Sequence, residues 1–444
     1  MFWYGASYFA RVNEETKHPI FTLQTMTART VVVIDPYLAA PIQRASKNLS
    51  FYGMILEVFA DMLNSFLPPT PNATTTPTTL MTFVKQIFTP ANAYTFYGPK
   101  NPFALHPSLI DKFWDYEAGM IAVMADLIPS LTARKPYLAR QSINAALHEF
   151  VQKDHYRLAS PMIQKRVQIN LKHGLTPQMA GRAELILLFG IIGNAVPTTF
   201  WFLAYIFARP DLVAAIRAET RARGVVSTAF NPRTGTTENT ISVTALKAKC
   251  PLIMSTYRET LRSIGNLSSV RLVTGTHTVT VPGYRSYVLK KGVMVQIASG
   301  VIHSLESVWG ADAKTFNPNR FLSPITTTTT TTTASSSKEN GDTYTVEKTA
   351  TALPKGVPSA AFRTFGGGSV ICPGRHFAMT EIVGFVALCV NMFEVVDAET
   401  GAAPEMPVRD DRRIPLSVMK PVREPRILMK RRVGQESVVW RLEV

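Results

Sequence analysis

Phe365-Gly366-Gly367-Gly368-Ser369-Val370-Ile371-Cys372-Pro373-Gly374-Arg375-His376-Phe377-Ala378 is the stretch around which the rest of the chain is read. A glycine-rich turn carries one cysteine. An apolar run from Ile382 to Val396 follows, interrupted only by Gly384, Asn391 and Glu394. Glycines such as Gly368 and Gly374 allow positive φ and the close approach of a large flat partner. They leave backbone N–H groups free to point at a sulfur, and a helix start favours the negative charge of a thiolate. The reading is a buried Cys372 thiolate aimed at a metal, with a helix beginning just after it. The plain alternative is a buried free cysteine beside a glycine turn.

Composition sets the frame. The 444 residues are 46% hydrophobic and 18% charged, ample for a large core. Forty-seven basic against 31 acidic residues give a net charge of +16. That surplus favours an acidic protein partner or an anionic membrane surface. No aromatic–basic interleaving points to nucleic acid, so no nucleic-acid partner is expected. Cys250, Cys372 and Cys389 do not make a disulfide framework, which reads as a reducing compartment with Cys250 and Cys389 as ordinary buried thiols. No run reaches roughly 18 consecutive apolar residues. Met1 to Arg11 is aromatic but short, without a basic leader or cleavage site.

The spacing Phe-x-x-Gly-x-x-x-Cys-x-Gly-Arg, from Phe365 to Arg375, resembles the haem-ligand loop of the cytochrome P450 family. The resemblance implies a mainly α fold with small β-sheets, in one domain over 1–444. It implies heme b with Cys372 as the axial iron ligand, and Phe365 packed against the sulfur. Two further motifs stand in the family's order. Glu259-Thr260-Leu261-Arg262 puts a carboxylate and a guanidinium on one helix face. Phe316-Asn317-Pro318-Asn319-Arg320-Phe321 follows it. In the family Glu259, Arg262 and Arg320 would form a buried network that locks the loop under the haem. An exposed i,i+3 pair is the bland alternative for Glu259 and Arg262. Arg271 is a candidate haem-propionate partner or a solvated strand arginine, and His303 either pairs with a propionate or caps its helix. Two before the cysteine, where an Arg often holds a propionate, stands Val370.

From its start, the chain reads as a hairpin (Pro19–Leu23 with Arg29–Ile34), a helix from Asp35 through Gln43 and a helix over about Tyr52 to Phe66. Residues 67–79 form a Thr/Pro-rich linker. Leu80 to Phe96 reads as a helix broken near Pro90. Tyr97-Gly98-Pro99-Lys100-Asn101-Pro102-Phe103 lies well downstream of several helices in relatives, so the N-terminal half looks shortened, without the helix that usually holds a propionate. Residues 107–173 are helical, interrupted at Leu127–Leu131.

Ala183 to Ala208 is a long apolar helix in which Gly190 and Gly193 share a face, and Pro197 frees the carbonyl of Gly193. A groove or kink at 193–197 is expected; a membrane span or a buried core helix with a tolerated proline is the alternative. By resemblance this helix crosses the haem face, where many members carry an acid then a threonine to deliver protons during oxygen activation. Here that pair is Asn194-Ala195. The Gly-Asn-x-x-Pro form is similar to the branch of cholesterol 7α-hydroxylase and prostacyclin synthase, which contains an isomerase. Asn194 exchanges hydrogen bonds but shuttles no proton as a carboxylate does. Thr198, one turn on, is the candidate helper, or a back-bonded core residue.

A helix is expected from Pro210 to about Ala222, a polar loop over 223–243, and one helix from Leu246 to Ile264. Strands follow over 268–298, then a short helix at 300–309. Eight threonines, Thr326 to Thr333, mark 324–354 as a low-complexity disordered insertion. Basic residues over 402–432 end in a strand near Arg426–Lys430, a surface suited to an acidic reductase. The resemblance implies insertion of one oxygen atom from O2 into a lipophilic small molecule, a sterol, terpenoid or secondary metabolite. Electrons would come from NADPH through NADPH-cytochrome P450 reductase. The expected location is the cytoplasmic face of the endoplasmic reticulum if an upstream anchor exists, with peripheral membrane contact, and the cytoplasm otherwise. The alternatives are a haem-thiolate isomerase or dehydratase acting on a peroxide, and a truncated non-catalytic member.

Overall fold

The computed structural model describes residues 15, 20–24, 29–33, 52–70, 73–125, 128–266, 268–280, 282–283, 286–330, 342–351, 353–410 and 418–444. The helix expected over 35–43 lies outside them. The chain divides into two compact units: Met1–Val58, Pro90–Leu188 and Val444 in one, Phe59–Thr89 and Phe189–Glu443 in the other. Three helices run through the division: α1 (Tyr52–Phe66), α2 (Leu80–Tyr97) and α6 (Pro177–Phe207).

The first unit begins with a hairpin, β1 (Ile20–Gln24) antiparallel to β2 (Arg29–Val33). Its helices are α3 (Leu109–Ala118), α4 (Arg134–Gln152) and α5 (Pro161–Lys172), with the later part of α2 and the start of α6. Aromatic edges fill its core, with Phe103 on Phe113 at 6.0 Å and Tyr97 on Phe150 at 5.7 Å. Glu184 is fully buried and bonded by Arg166 Nε at 3.2 Å and Tyr97 Oη at 3.4 Å. Burial pushes both the Glu184 carboxyl and the Tyr97 phenol up from their ordinary ranges. The expected interruption near 127–131 holds, and Ile128 takes a left-handed φ of 50° there. Pro90 does not break α2, because the helix continues through it.

The Asn101 motif is structural. Its side-chain oxygen accepts from Phe103 and Ala104 N–H, both at 3.0 Å, and its amide donates to Gly98 O at 2.8 Å. Asn101 thereby caps the turn Pro102–Leu105 from a buried position.

The second unit carries the Glu259, Arg320 and Cys372 motifs. Three elements depart from expectation. The linker over 67–79 is pinned: Thr74 bridges Lys430, and β3 (Thr78–Thr79) joins the sheet β12-β13-β3, where β12 is Phe393–Asp397 and β13 is Arg426–Arg431. The polar stretch 223–243 contains β4 (Val226–Asn231) and β5 (Thr236–Ser242), and β5 also pairs in parallel with β14 (Val438–Glu443). Its threonines are β-branched and favour a pleated, half-exposed strand. The helix expected over 246–264 is two, Val243–Lys249 and α8 (Pro251–Ile264), because Pro251 has no N–H to continue the first and sits at the first position of the second.

Between α7 (Pro210–Ala222) and the last sheet lie β6 (Ser268–Leu272) paired with β9 (Met294–Ala298), β7 (His277–Val279) paired with β8 (Tyr287–Leu289), and α9 (Ser299–His303). β10 (Leu322–Thr330) and β11 (Asp342–Ala350) pair antiparallel, so the two arms of the stretch read as unstructured close on each other. α10 (Arg375–Met392) is buried from Thr380 to Met392 and receives Phe59, Phe83 and Phe88 around Phe385. α6 is long and apolar enough to cross a membrane by composition, and 67% of its apolar window is buried within the protein.

Replacing Asn101 by Ala removes two accepted N–H bonds and strands a buried cap. Thermal melting should show destabilisation by about 1–2 kcal/mol, with Ser at this position retaining part of the loss.

Candidate functional site

The site is built upward from one buried carboxylate. Glu259 on α8 is inaccessible to solvent. Arg262, one turn on, meets it bidentately: Nε to Oε2 and Nη2 to Oε1, both 2.7 Å. Arg320 Nε reaches both oxygens at 3.1 Å, and Asn317 N–H donates to Oε1 at 3.0 Å. Arg320 also binds Asp312 Oδ1 at 2.8 Å, so two guanidiniums are matched by two carboxylates. That bond holds the Asp312 carboxyl below its ordinary range. The expected Glu259–Arg262–Arg320 network is thus brought together as two ion pairs on one carboxylate, with side chains 0%, 2% and 6% exposed. An exposed helix pair it is not.

The network continues to the cysteine loop through a residue whose role the sequence left open. Arg262 Nη1 donates to the carbonyls of His303 and Ala313. The His303 side chain is buried, with Nδ1 2.8 Å from Gly265 O and Nε2 3.0 Å from the N–H of Arg363. A carbonyl only accepts, so Nδ1 carries the proton and Nε2 accepts from Arg363. Burial pushes His303 down to about 4, with the nearby Arg262 and Arg363 acting the same way and the Gly265 bond opposing. Trp309 and Phe362 flank it at 6.4 and 6.1 Å, and Arg262 lies over the Trp309 ring at 5.3 Å. No spacing rule marks His303 in advance; a single buried histidine in a short apolar helix carries no pattern.

The loop itself turns at Gly366 and Gly368, whose φ values of 79° and 65° fall in the left-handed region. Cys372 N–H donates to Phe365 O at 2.9 Å and Arg375 Nη1 to Cys372 O at 3.1 Å, closing the turn. α10 then starts at Arg375, with Gly374 as its N-cap and no side chain capping it. Cys372 is exposed in the protein itself, beside Val370 at 58% and Ile371 at 41% exposure, so its expected burial falls to the group it would hold. Cys250 and Cys389 are buried as expected, and burial raises Cys250 to about 12 and Cys389 well above the thiol range.

On α6, Asn194 Oδ1 is buried with no hydrogen-bond partner among the described residues. Gly193 is faced by the Phe189 ring, 3.1 Å from where a Cβ would lie, while Gly190 faces open space. Thr199 is back-bonded to Ala195 O at 2.9 Å, and Thr198 is buried. The end of α6 packs on the same structure as the lock. Phe202 meets Tyr257 of α8 at 5.7 Å, and Tyr205 stacks on Phe316 at 3.8 Å. Arg271 is exposed on β6, and its Nη1 bonds the carbonyl of its own neighbour Val270.

A family model described as cytochrome P450 matches residues 70–414. The chain belongs to the cytochrome P450 family. It is 31% identical over 370 residues to a cytochrome P450 monooxygenase of Gibberella zeae, covering 81% of this chain and 64% of that protein. It is 27% identical to cytochrome P450 monooxygenase nodJ of Hypoxylon pulicicidum, covering 88% and 79%. It is 26% identical to the 5-beta-cholestane-3-alpha,7-alpha-diol 12-alpha-hydroxylase of Sus scrofa, covering 63% and 52%. The chain therefore spans between about half and four fifths of these relatives.

Haem with cysteine-ligated iron characterises cytochromes P450, and the residues here fit that group. Cys372 is an exposed thiol just ahead of an uncapped 18-residue helix. Among the described residues no group of three or more His, Cys, Asp or Glu is placed to hold a metal. A metal on Cys372 must then bring its other ligands with it, as a macrocycle does. Val370 and Ile371 offer apolar surface beside the thiol.

Two outcomes follow for the lock. Glu259→Gln leaves two buried guanidiniums without their anion and should cost about 3–5 kcal/mol, measured by denaturant unfolding. His303 has the opposite pH signature to a surface histidine. Its folded value, about 4, lies below the unfolded 6.5, so between these the unfolded chain binds more protons. Stability is intact above pH 6.5 and falls by about 3 kcal/mol as pH drops toward 4. His303→Asn should flatten that part of the stability–pH curve.

Proposed function

We propose that this chain is a haem-thiolate monooxygenase that inserts one oxygen atom from O2 into a lipophilic small molecule. The observation that carries the reading is the exposed Cys372 thiol on a loop tied through Arg363, His303 and Arg262 to a buried carboxylate. Haem bound here supplies the oxygen-activating chemistry, tuned by the sulfur. Cys372 ligates the iron. Phe365 and Gly368 shape the turn, Gly374 and Arg375 open the helix beneath it, and Glu259, Arg262 and Arg320 hold the turn against displacement. Gly193, Asn194 and Pro197 form the opposing wall, with Thr198 one turn on, and Arg271, exposed on β6 and bonded to the Val270 carbonyl, is the solvated strand arginine.

Asn194 orients a hydroxyl or a water by exchanging hydrogen bonds and carries no proton of its own at neutral pH. Protons must then arrive through water, substrate hydroxyl or Thr198. The substrate class is a sterol, terpenoid or secondary metabolite, in keeping with a fungal monooxygenase and a cholestane-diol hydroxylase among its relatives. NADPH-cytochrome P450 reductase is the electron donor, met by the +16 surface at the cytoplasmic face of the endoplasmic reticulum.

A second reading, a haem-thiolate isomerase or dehydratase acting on a peroxide, is favoured by one observation. The Asn194-Ala195 pair offers no acid for proton delivery. Turnover of a hydroperoxide without reductase would establish it and displace the first; turnover that requires NADPH and reductase would do the reverse.

The purified chain, supplemented with haem and reduced under carbon monoxide, should give the thiolate-ligated Soret difference band. Cys372→Ala should abolish that band while changing stability by less than about 1 kcal/mol, since the exposed thiol supports no packing.

A further inference from the structure

Arg363 is a cation without an assigned anion, ten residues before the end of the cysteine turn. Its backbone is fixed: N–H is bonded to His303 Nε2, and its carbonyl accepts from Gly366 N–H at 3.0 Å. Its side chain lies against the loop. A Cβ on Gly367 would stand 3.2 Å from Nη2 and 3.3 Å from Nη1, so the guanidinium lies close against the loop backbone there. Among the described residues Nε is buried with no acceptor, and no carboxylate pairs with the group. A guanidinium presents five donors in a rigid fork matched to a carboxylate, and leaving one unmet in the interior costs free energy.

The other cations of this region are committed or turned away. Arg262 and Arg320 are saturated by Glu259, Asp312 and carbonyls. Arg375 bonds Cys372 O, and Arg271 is exposed and bonds its own strand. Val370 is apolar and brings no charge.

We infer that Arg363 binds a carboxylate side arm of the haem, replacing in this chain the charge that Val370 does not supply. The inference rests on the haem-thiolate reading. It places the anion contact on the residue that the Glu259–Arg262–His303 network holds in position, so the lock under the cysteine also positions the fork that grips the ligand.

The test uses the full chain with haem and with its dimethyl ester, whose carboxylates are blocked. Dissociation is followed as transfer to an excess of a haem-scavenging apoprotein. Wild-type chain should release the ester about tenfold faster than haem, the loss of one charge-assisted bond. In Arg363→Gln the two should leave at nearly equal rates, both close to the wild-type ester rate, and Arg363→Lys should restore part of the difference. The Lys variant keeps charge and bulk, so the comparison stands even where Gln disturbs folding.

A haem-to-ester ratio that is the same in wild type and both variants overturns the assignment. So does a pair of variants that hold haem as wild type does but are reduced more slowly by the flavoprotein, since Arg363 would then face a protein partner. In both cases a wild-type thiolate spectrum leaves the haem-thiolate reading standing. A wild-type chain that takes up no haem overturns both.

Discussion

A single carboxylate at the centre of the second unit constrains everything near the cysteine. Glu259 is fully buried and accepts from two guanidiniums and a backbone N–H. Moving such a charge out of water is expensive unless every lone pair is met. Here they are met by residues far apart in sequence, so the penalty for separating them enforces the fold. α8 supplies the anion and one cation, and the segment around Arg320 supplies the other. The carbonyls of His303, Ala313 and Thr315 use the remaining donors. Aromatic rings at Trp309, Phe321 and Phe362 exclude the water that would weaken these bonds.

From that centre the constraint passes to the cysteine by one imidazole. His303 must be neutral to accept from Arg363, and its surroundings keep it so. The loop therefore inherits its position from the ionic network without touching it directly. This division suits the chemistry proposed. A thiolate ligand needs freedom from competing contacts, and Cys372 is exposed on its turn. A loop that leaves its sulfur bare must be held by its backbone.

The ionic lock was legible through the family resemblance, which sets the Glu259–Arg262 pair and Arg320 in order ahead of the cysteine, and the turn was legible in its glycines and its thiol. Helix limits at Tyr52–Phe66 and Pro210–Ala222 were legible from apolar spacing and proline starts. The strands β4, β5 and β14 were not, because polar threonine and asparagine strands show no burial alternation and draw their stability from a pairing across some 200 residues. Cys372 was legible as a ligand, while the residues that flank it, Val370 and Ile371, come into view only with the path of the turn. His303 and Arg363 act through backbone partners, which no side-chain pattern encodes.

The hairpin β10–β11 sits between Arg320 and Arg363, inside the span that the lock must close. Leu322 pairs with Ala350, and Thr351 N–H returns to Phe321 O at 2.8 Å. Whatever extends from Thr330 is thus brought back to its starting point before the chain re-enters the core. Added length there raises only the logarithm of a loop-closure entropy, about 0.6 kcal/mol for each doubling. The threonine tract is therefore a place where the gene can gain or lose codons while the geometry around the cysteine is inherited unchanged.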